Sequence, residues 1–427
     1  MGNMEKLRVF TSFSGYDSQC LALDRLGIAY DLVGWSEIDR YAIQAHNALY
    51  PQYSDRNYGD ISKIDWESVP DFDLFTMSSP CQDYSTAGKQ EGDNWTCEKC
   101  NIGFSPIDIN FSDNCPICNS ELKKTRSSLL YECYKAIDVK RPKYILLENV
   151  KNLVSKKFVG GFHKWQNLLA RLGYSNFTQV LNAKDYGVPQ NRERVFMVSI
   201  LGDEWYNFPK PFPLVKRLKD VLEDNVDEKY YLSPKGCEYI YARLGKYTAL
   251  NGDTSCTLTA KGINNWTGTF IHPTTLQIPQ TTKRTDVVMQ LNSSLESGGK
   301  QPYQQNRIYH SEGIKDTLGT CNCGNVYHNL RVRKLTPREC FRLMGMAEED
   351  INKIQELSMF DILYPNISRT KDDALLTKKE LKAKKEPAIS NSQQYKMAGN
   401  SIVVDVLYYI FKQLFHEDRE IELTLFD

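Results

Sequence analysis

The chain has 427 residues, of which 41% are hydrophobic, 25% charged and 11% aromatic, proportions that exclude a wholly disordered, collagen-like or repeat-biased protein. At ~100–200 residues per domain, that length suits one large domain and a lesser one. Lys and Arg number 53 and Asp and Glu 53, so the net charge is zero; no global positive field steers a polyanion, and any basic groove has to be local.

In chain order, apolar runs at Leu7 to Thr11, Asp31 to Trp35, Phe72 to Met77, Tyr144 to Leu147, Phe177 to Leu181 and Val195 to Ile200 read as buried strands. Between them Ser18 to Leu26, Arg40 to Leu49, Ser127 to Val139 and His163 to Leu172 carry apolar residues at helical spacing. This alternation predicts an α/β, doubly wound parallel sheet with ligands at the carboxyl ends of its strands. Phe208-Pro209-Lys210-Pro211-Phe212-Pro213 breaks the rhythm, and the Thr-, Asn- and Gly-rich stretch to about Leu330 predicts a second, mostly β or irregular domain. Helical patterning resumes at Thr336 to Met344 and from Ser401 to Phe415, which are expected to return to the first domain. The expected division is 1–215, 216–330 and 331–427, with a charged insertion at about 347–391 whose Lys371–Glu386 part reads as a solvated helix or mobile loop.

The strand ends carry the chemistry. Phe13-Ser14-Gly15-Tyr16-Asp17-Ser18 forms a tight turn into a helix, where backbone N–H groups approach a nucleotide-like ligand. Glu37, after the second strand, stands where a carboxylate bridges ribose hydroxyls, and Asp60 is placed to accept from an adenine amine. Read singly, each acid is a helix cap or surface carboxylate; the turn and the two acids, three features in succession after strands, point to a ligand. Ser79-Pro80-Cys81-Gln82 puts a thiol on a loop held by a rigid strand, the setting of a nucleophile. Glu148 ends an apolar run, where burial raises a carboxyl's pKa and keeps its proton on, and Arg192 and Arg194 precede another strand.

Twelve cysteines lie in the chain. Cys97-x-x-Cys100 and Cys115-x-x-Cys118 have the paired-knuckle spacing of a four-thiolate zinc ribbon, predicting a structural Zn2+ in a segment at 95–124 too small to hold its own core. Cys20, Cys133, Cys237, Cys256, Cys321, Cys323 and Cys340 read as packing residues. No apolar run reaches the ~18–20 residues of a membrane span, and Met1 to Lys6 has no hydrophobic segment behind it to serve as a secretion signal, so no membrane association and a cytoplasmic location are expected.

In order and in type, the Phe13-Ser14-Gly15 turn, Glu37, Asp60, Pro80-Cys81-Gln82, Glu148-Asn149-Val150, Gln190 through Arg194, Arg331 through Met344 and Gln394 through Val404 resemble the motifs of DNA (cytosine-5)-methyltransferases of the bacterial and phage type. The resemblance spans nearly the whole chain. It implies a Rossmann-like S-adenosylmethionine-dependent methyltransferase domain and a smaller target recognition domain at 216–330. It implies Cys81 as nucleophile, Glu148 on cytosine nitrogen 3 and its amine, and Arg192 and Arg194 serving the base. Phe13, Ser14, Gly15, Glu37, Ile38, Asp60, Ile61, Asn400 and Ser401 would hold S-adenosylmethionine, and the partner would be double-stranded DNA, met by a monomer that does not require a restriction endonuclease. The paired elements Thr257-Leu258 and Thr317-Leu318 would contact DNA; ordinary strand segments are the competing reading. Tyr16, Asp17 and Ser18 stand where relatives commonly have glycines, and Ile38 where an aromatic often stacks on adenine. An RNA cytosine-5 methyltransferase on the same scaffold and a non-catalytic DNA-binding relative are the alternative readings.

Overall fold

A computed structural model describes residues 6–80, 84, 94–125, 129–233, 236, 248–250, 253–258, 268–271, 289–290, 309–310, 332–365, 367, 373 and 376–415. Its elements run β1 (Leu7–Ser12), α1 (Ser18–Leu26), β2 (Tyr30–Ser36), α2 (Arg40–Leu49), β3 (Leu74–Met77), β4 (Trp95–Cys97), β5 (Ile102–Phe104), α3 (Leu130–Lys140), β6 (Tyr144–Val150), α4 (Val159–Arg171), β7 (Tyr174–Asn182), β8 (Gln190–Asn191) and β9 (Glu193–Leu201). Six of the strands form one sheet in the order β2-β1-β3-β6-β9-β7.

Neighbouring residues on each strand serve opposite faces of this sheet. Val9, Leu32, Leu74, Leu146, Phe196 and Val198 join α1 and the late helix Val404–Phe415 in one apolar cluster. Phe10, Phe75, Ile145, Leu147, Val195 and Met197 join α3 and α4 in the other. A sheet covered on both faces explains why its strands read as unbroken apolar runs. Gly34 belongs to this packing, because a Cβ there would stand 2.6 Å from the Phe10 ring.

The expected all-parallel sheet needs one correction. β1 runs parallel to β2 and β3, and β3 to β6, but β9 lies antiparallel to both β6 and β7. Only residues 183–192 join β7 to β9, too few for the helical crossover that parallel neighbours require. The apolar runs themselves carry no strand direction.

Beyond the sheet, β10 (Thr248–Leu250), β11 (Ser255–Cys256) and β12 (Gly268–Ile271) are short strands. β12 pairs with β10 and with the Arg333–Lys334 strand. Most of 216–330 lies outside the described residues. The Lys-rich segment contains the helix Lys378–Lys385, capped reciprocally by Thr377 and Glu380; Ala383 packs it against the buried Phe360 while Lys378 and Lys379 stay exposed. No helix among the described residues is long and apolar enough to cross a membrane.

Candidate active site

The turn after β1 is left-handed at Phe13 (φ 53°), Gly15 (φ 60°) and Asp17 (φ 69°). Asp tolerates this conformation better than most residues, and here its side chain repays the strain locally. The Asp17 carboxylate accepts from the Cys20 N–H at 3.4 Å, capping α1, and from the Thr11 hydroxyl at 2.8 Å. Fully buried, it also lies 3.4 Å from His46 Nε2, whose ring stacks on Trp35 at 3.7 Å. Aspartate thus does at this turn what glycine does in a more open one.

Glu37 leaves the end of β2 pointing back at that turn. Its carboxylate accepts from the N–H groups of Gly15 at 3.0 Å and of Ile38 and Asp39 at 2.8 Å each. Asn57 fixes the backbone on either side of it, accepting from the Glu37 N–H at 3.2 Å and donating to its carbonyl at 3.1 Å. Asp60 accepts from the hydroxyl of Ser62 at 2.8 Å and from its N–H at 3.0 Å, bonds that hold its carboxyl below the usual carboxylate range. It is therefore a cap on the turn Ile61–Lys63 as well as a wall of the cavity described next.

Phe13, Ser14, Gly15, Glu37, Ile38, Asp60, Ile61, Asn400 and Ser401 all line one cavity of about 350 Å³, together with Pro80, Glu148, Arg192 and Arg194. Cys81 and Gln82, next in the chain after Pro80, lie outside the described residues. The approach to them is held by Asn149, whose amide donates to the Ser79 carbonyl at 3.2 Å. Ile38 is 72% exposed at the cavity wall. Lining residues that the sequence reading did not single out include Gln19, Asp39 and Lys396; Lys396 Nζ lies 2.5 Å from Asp39 Oδ2. Helical spacing offered one signal, since Lys396 stands four residues before Asn400 on the helix Asn391–Asn400.

Glu148 and Arg194 meet because β6 and β9 are antiparallel. Val150 opposes Arg194 and Glu148 opposes Phe196, so Glu148 and Arg194 are diagonal neighbours on one face. Arg194 Nε lies 3.2 Å from Glu148 Oε1. Burial pushes the Glu148 carboxyl above the usual range, although Arg194 and Arg192 pull it back. The site therefore holds an acid that keeps its proton more readily than a solvated glutamate, beside a permanent cation.

Arg192 is occupied differently. Its Nη1 donates to the Leu258 carbonyl at 2.8 Å, and its Nη2 to the carbonyls of Gly399 at 3.1 Å and Ser401 at 2.6 Å. Leu258 itself is buried in the main apolar cluster, and the Thr257 hydroxyl donates to the Asn191 carbonyl at 2.6 Å. Thr317 and Leu318 lie outside the described residues.

Away from the cavity, the sulfur atoms of Cys97, Cys100, Cys115 and Cys118 all lie within 4.8 Å of one another. Each Cys-x-x-Cys turn is closed by a left-handed asparagine, Asn101 at φ 54° and Asn119 at φ 57°. Trp95 and Leu122 pack beside the thiols. Phe111 anchors the segment to α3 by stacking on Tyr134 at 5.2 Å.

The sequence matches the profile of the family described as C-5 cytosine-specific DNA methylase over residues 7–99 and 117–362. The break falls inside the four-cysteine segment. Among characterised relatives, the type II methyltransferase M2.ScrFI of Lactococcus lactis subsp. cremoris is 31% identical over 96% of this chain and 99% of its own. The orphan methyltransferase M.SPBetaI of Bacillus phage SPbeta is 30% identical over 97% of this chain and 98% of its own. Among solved structures, the Entamoeba histolytica methyltransferase EhMeth superposes with a TM-score of 0.59 at 17% identity, covering 96% of this chain and 98% of that one. The S. pombe Dnmt2 methyltransferase gives a TM-score of 0.57 at 17% identity, covering 96% and 98%. At that identity the structural likeness speaks for the fold.

Proposed function

The chain belongs to the C-5 cytosine-specific DNA methylase family and is a DNA cytosine-5 methyltransferase, and from this premise we propose that it methylates carbon 5 of a cytosine flipped out of a particular double-stranded DNA sequence. Flipping is required because a stacked base exposes neither face of its ring to a nucleophile. The observation that carries the reading is the continuity of one cavity from the Glu37 and Asp60 carboxylates to the Glu148–Arg194 pair and Pro80.

S-adenosylmethionine fits the first half of that cavity. Ser14 Oγ is buried there without a hydrogen-bond partner among the described residues, and the left-handed turn presents backbone rather than side chain. Phe13, Ser14, Gly15, Glu37, Ile38, Asp60, Ile61, Asn400 and Ser401 would hold the molecule, which supplies an electrophilic sulfonium methyl. At the second half, lined by Pro80, the thiolate of Cys81, the next residue in the chain, would form a bond to carbon 6 of cytosine, driving ring electrons toward carbon 5 and charge toward nitrogen 3 and the carbonyl. Protonated Glu148 and cationic Arg194 stabilise that charge more in the adduct than in the free base. After carbon 5 has gained the methyl, water removes its proton, the carbon–sulfur bond breaks, and the double bond and the thiolate are restored.

The region 216–330 would read the DNA sequence, while 1–215 and 331–427 perform the chemistry as a cytoplasmic monomer. Its relatives carry type II and orphan designations. The corresponding role is modification of DNA in a restriction–modification system or protection of a phage genome, and transfer itself requires no endonuclease.

A structural Zn2+ suits Cys97, Cys100, Cys115 and Cys118: tetrahedral thiolates with bonds of about 2.3 Å stand roughly 3.8 Å apart, compatible with the sulfur cluster. Metal analysis of protein purified without added zinc should find about one equivalent per chain, lost when Cys97 and Cys115 are both changed to Ser.

The test of the reaction is DNA synthesised with 5-fluorocytosine in place of cytosine. With S-adenosylmethionine present, a denaturation-resistant protein–DNA complex should form through Cys81, because fluorine does not leave as a proton does. Active enzyme that forms no such complex would refute the assigned nucleophile.

A further inference from the structure

The segment expected to touch DNA through Thr257 and Leu258 is fastened to the catalytic edge from Ser255 to Leu258. β11 pairs in parallel with β8, Ser255 opposite Gln190 and Cys256 opposite Asn191. The Ser255 N–H donates to the Pro189 carbonyl at 2.7 Å, and the Leu258 N–H to Gln190 Oε1 at 3.1 Å. Gln190 in turn donates to the Leu343 carbonyl at 2.7 Å. On its other side the segment is tied to β12, since the Cys256 N–H donates to the Thr269 hydroxyl at 2.8 Å.

The last link is the Arg192 guanidinium. One nitrogen takes the Leu258 carbonyl, the other takes those of Gly399 and Ser401, residues that flank Asn400 on the cavity wall. Arg192 is 3% exposed. Its charge is thus balanced by carbonyl dipoles drawn from both sides at once, and a planar fork can span two acceptors held at a fixed separation where an ammonium cannot. Displacing either segment leaves part of a buried cation without its acceptors, a larger penalty than losing a solvated bond.

We infer that Arg192 is a positioning residue that couples DNA engagement at 216–330 to cofactor binding at Gly399–Ser401. DNA that holds the β11 segment in this arrangement keeps the Leu258 carbonyl on the guanidinium, which keeps the cavity wall in place. Because linkage is reciprocal, bound cofactor favours the DNA-engaged arrangement by the same factor. The inference rests on the proposed function, in that both ligands must bind this chain.

The experiment measures the affinity of S-adenosylhomocysteine by calorimetry, without and with saturating sheared duplex DNA of mixed sequence, which contains every short site. The unaltered protein should bind it at least about fivefold more tightly with DNA. Arg192→Lys should bring that ratio close to one, and Thr257→Val, which removes one fastening outside the cavity, should lower it partway. If Arg192→Lys proves unstable, Thr257→Val still reads the coupling. A ratio of one in the unaltered protein overturns the inference. So does an unchanged ratio in both variants, even if every affinity falls, because that is the behaviour of a brace without coupling. Failure of the unaltered protein to bind S-adenosylhomocysteine under either condition would sink the cofactor reading as well, which distinguishes the two.

Discussion

The two halves of the central sheet build their parts of the site by different means. In the parallel half, β2-β1-β3, the groups that face the cavity come from the turns after the strands: a left-handed backbone, the Glu37 carboxylate on three N–H groups, and Asp60 capping the next turn. In the antiparallel part, Glu148 and Arg194 project from adjacent strands and are paired by register. Turn backbone suits a ligand that must be cradled, whereas two strand side chains held diagonally suit a small planar base that must meet an acid and a cation together. The difference predicts that damage in one half should fall on cofactor affinity and damage in the other on turnover.

The largest effect is expected where the base is attacked. Cys81→Ala should abolish methyl transfer while leaving specific DNA binding detectable by mobility shift, since phosphate and base-edge contacts are separate from the covalent step. Arg194→Ala should lower kcat by about 10²–10³-fold, the usual loss on removing one group that stabilises developing charge. S-adenosylmethionine affinity should change little. A loss confined to cofactor affinity in this variant would erase the contrast between the halves.

Damage to the parallel half should be smaller and of the other kind. In Glu37→Gln only one side-chain oxygen remains to accept where two now serve three N–H groups, so the turn loosens and S-adenosylmethionine affinity should fall about tenfold or more, at about 1.5–3 kcal/mol per charged hydrogen bond. Asp60→Asn keeps an oxygen for Ser62 and should weaken affinity less. Isothermal calorimetry of both variants checks the ranking, and equal losses would mean that Glu37 acts only through direct ligand contact.

How far the sequence foretold this site follows from the kind of information each part needs. α1 and α2 coincide with their expected spans, because each is opened by an aspartate cap and carries an apolar face. The residues expected around the cofactor gather in one cavity, because every one belongs to a strand end or a motif of fixed local shape. The direction of β9 was not legible, since an apolar run reads the same both ways and only the length of the 183–192 link decides it. Arg192 reads from the sequence as a second base-facing cation; it lines the same cavity as Glu148 and Arg194, and its bonds to three carbonyls are what the sequence leaves unsaid. Those partners come from distant parts of the chain, and nothing local to residue 192 names them.

The smallest expected effect is on stability and concerns Glu148. Burial, only partly offset by Arg194 and Arg192, raises its pKa in the folded protein, so the folded state binds this proton more tightly than the unfolded chain, whose glutamates titrate near 4.3. The associated stability is complete below that unfolded value and is lost as the pH rises through the raised folded value. Above that folded value the protein carries a buried carboxylate at a cost in stability, and the proposed role of Glu148 as an acid toward cytosine would set stability against activity, as is common at active sites. Glu148→Gln keeps the shape, removes the titration and should unfold higher than the unaltered protein once the pH exceeds the raised folded value, by on the order of 1–2 °C for a chain of this size. The advantage should shrink as the pH is lowered toward 4, while methyl transfer is lost at every pH. Scanning calorimetry at several pH values gives the comparison; a variant less stable by the same margin at the highest pH would show that the charge pairing with Arg194 outweighs the burial of Glu148.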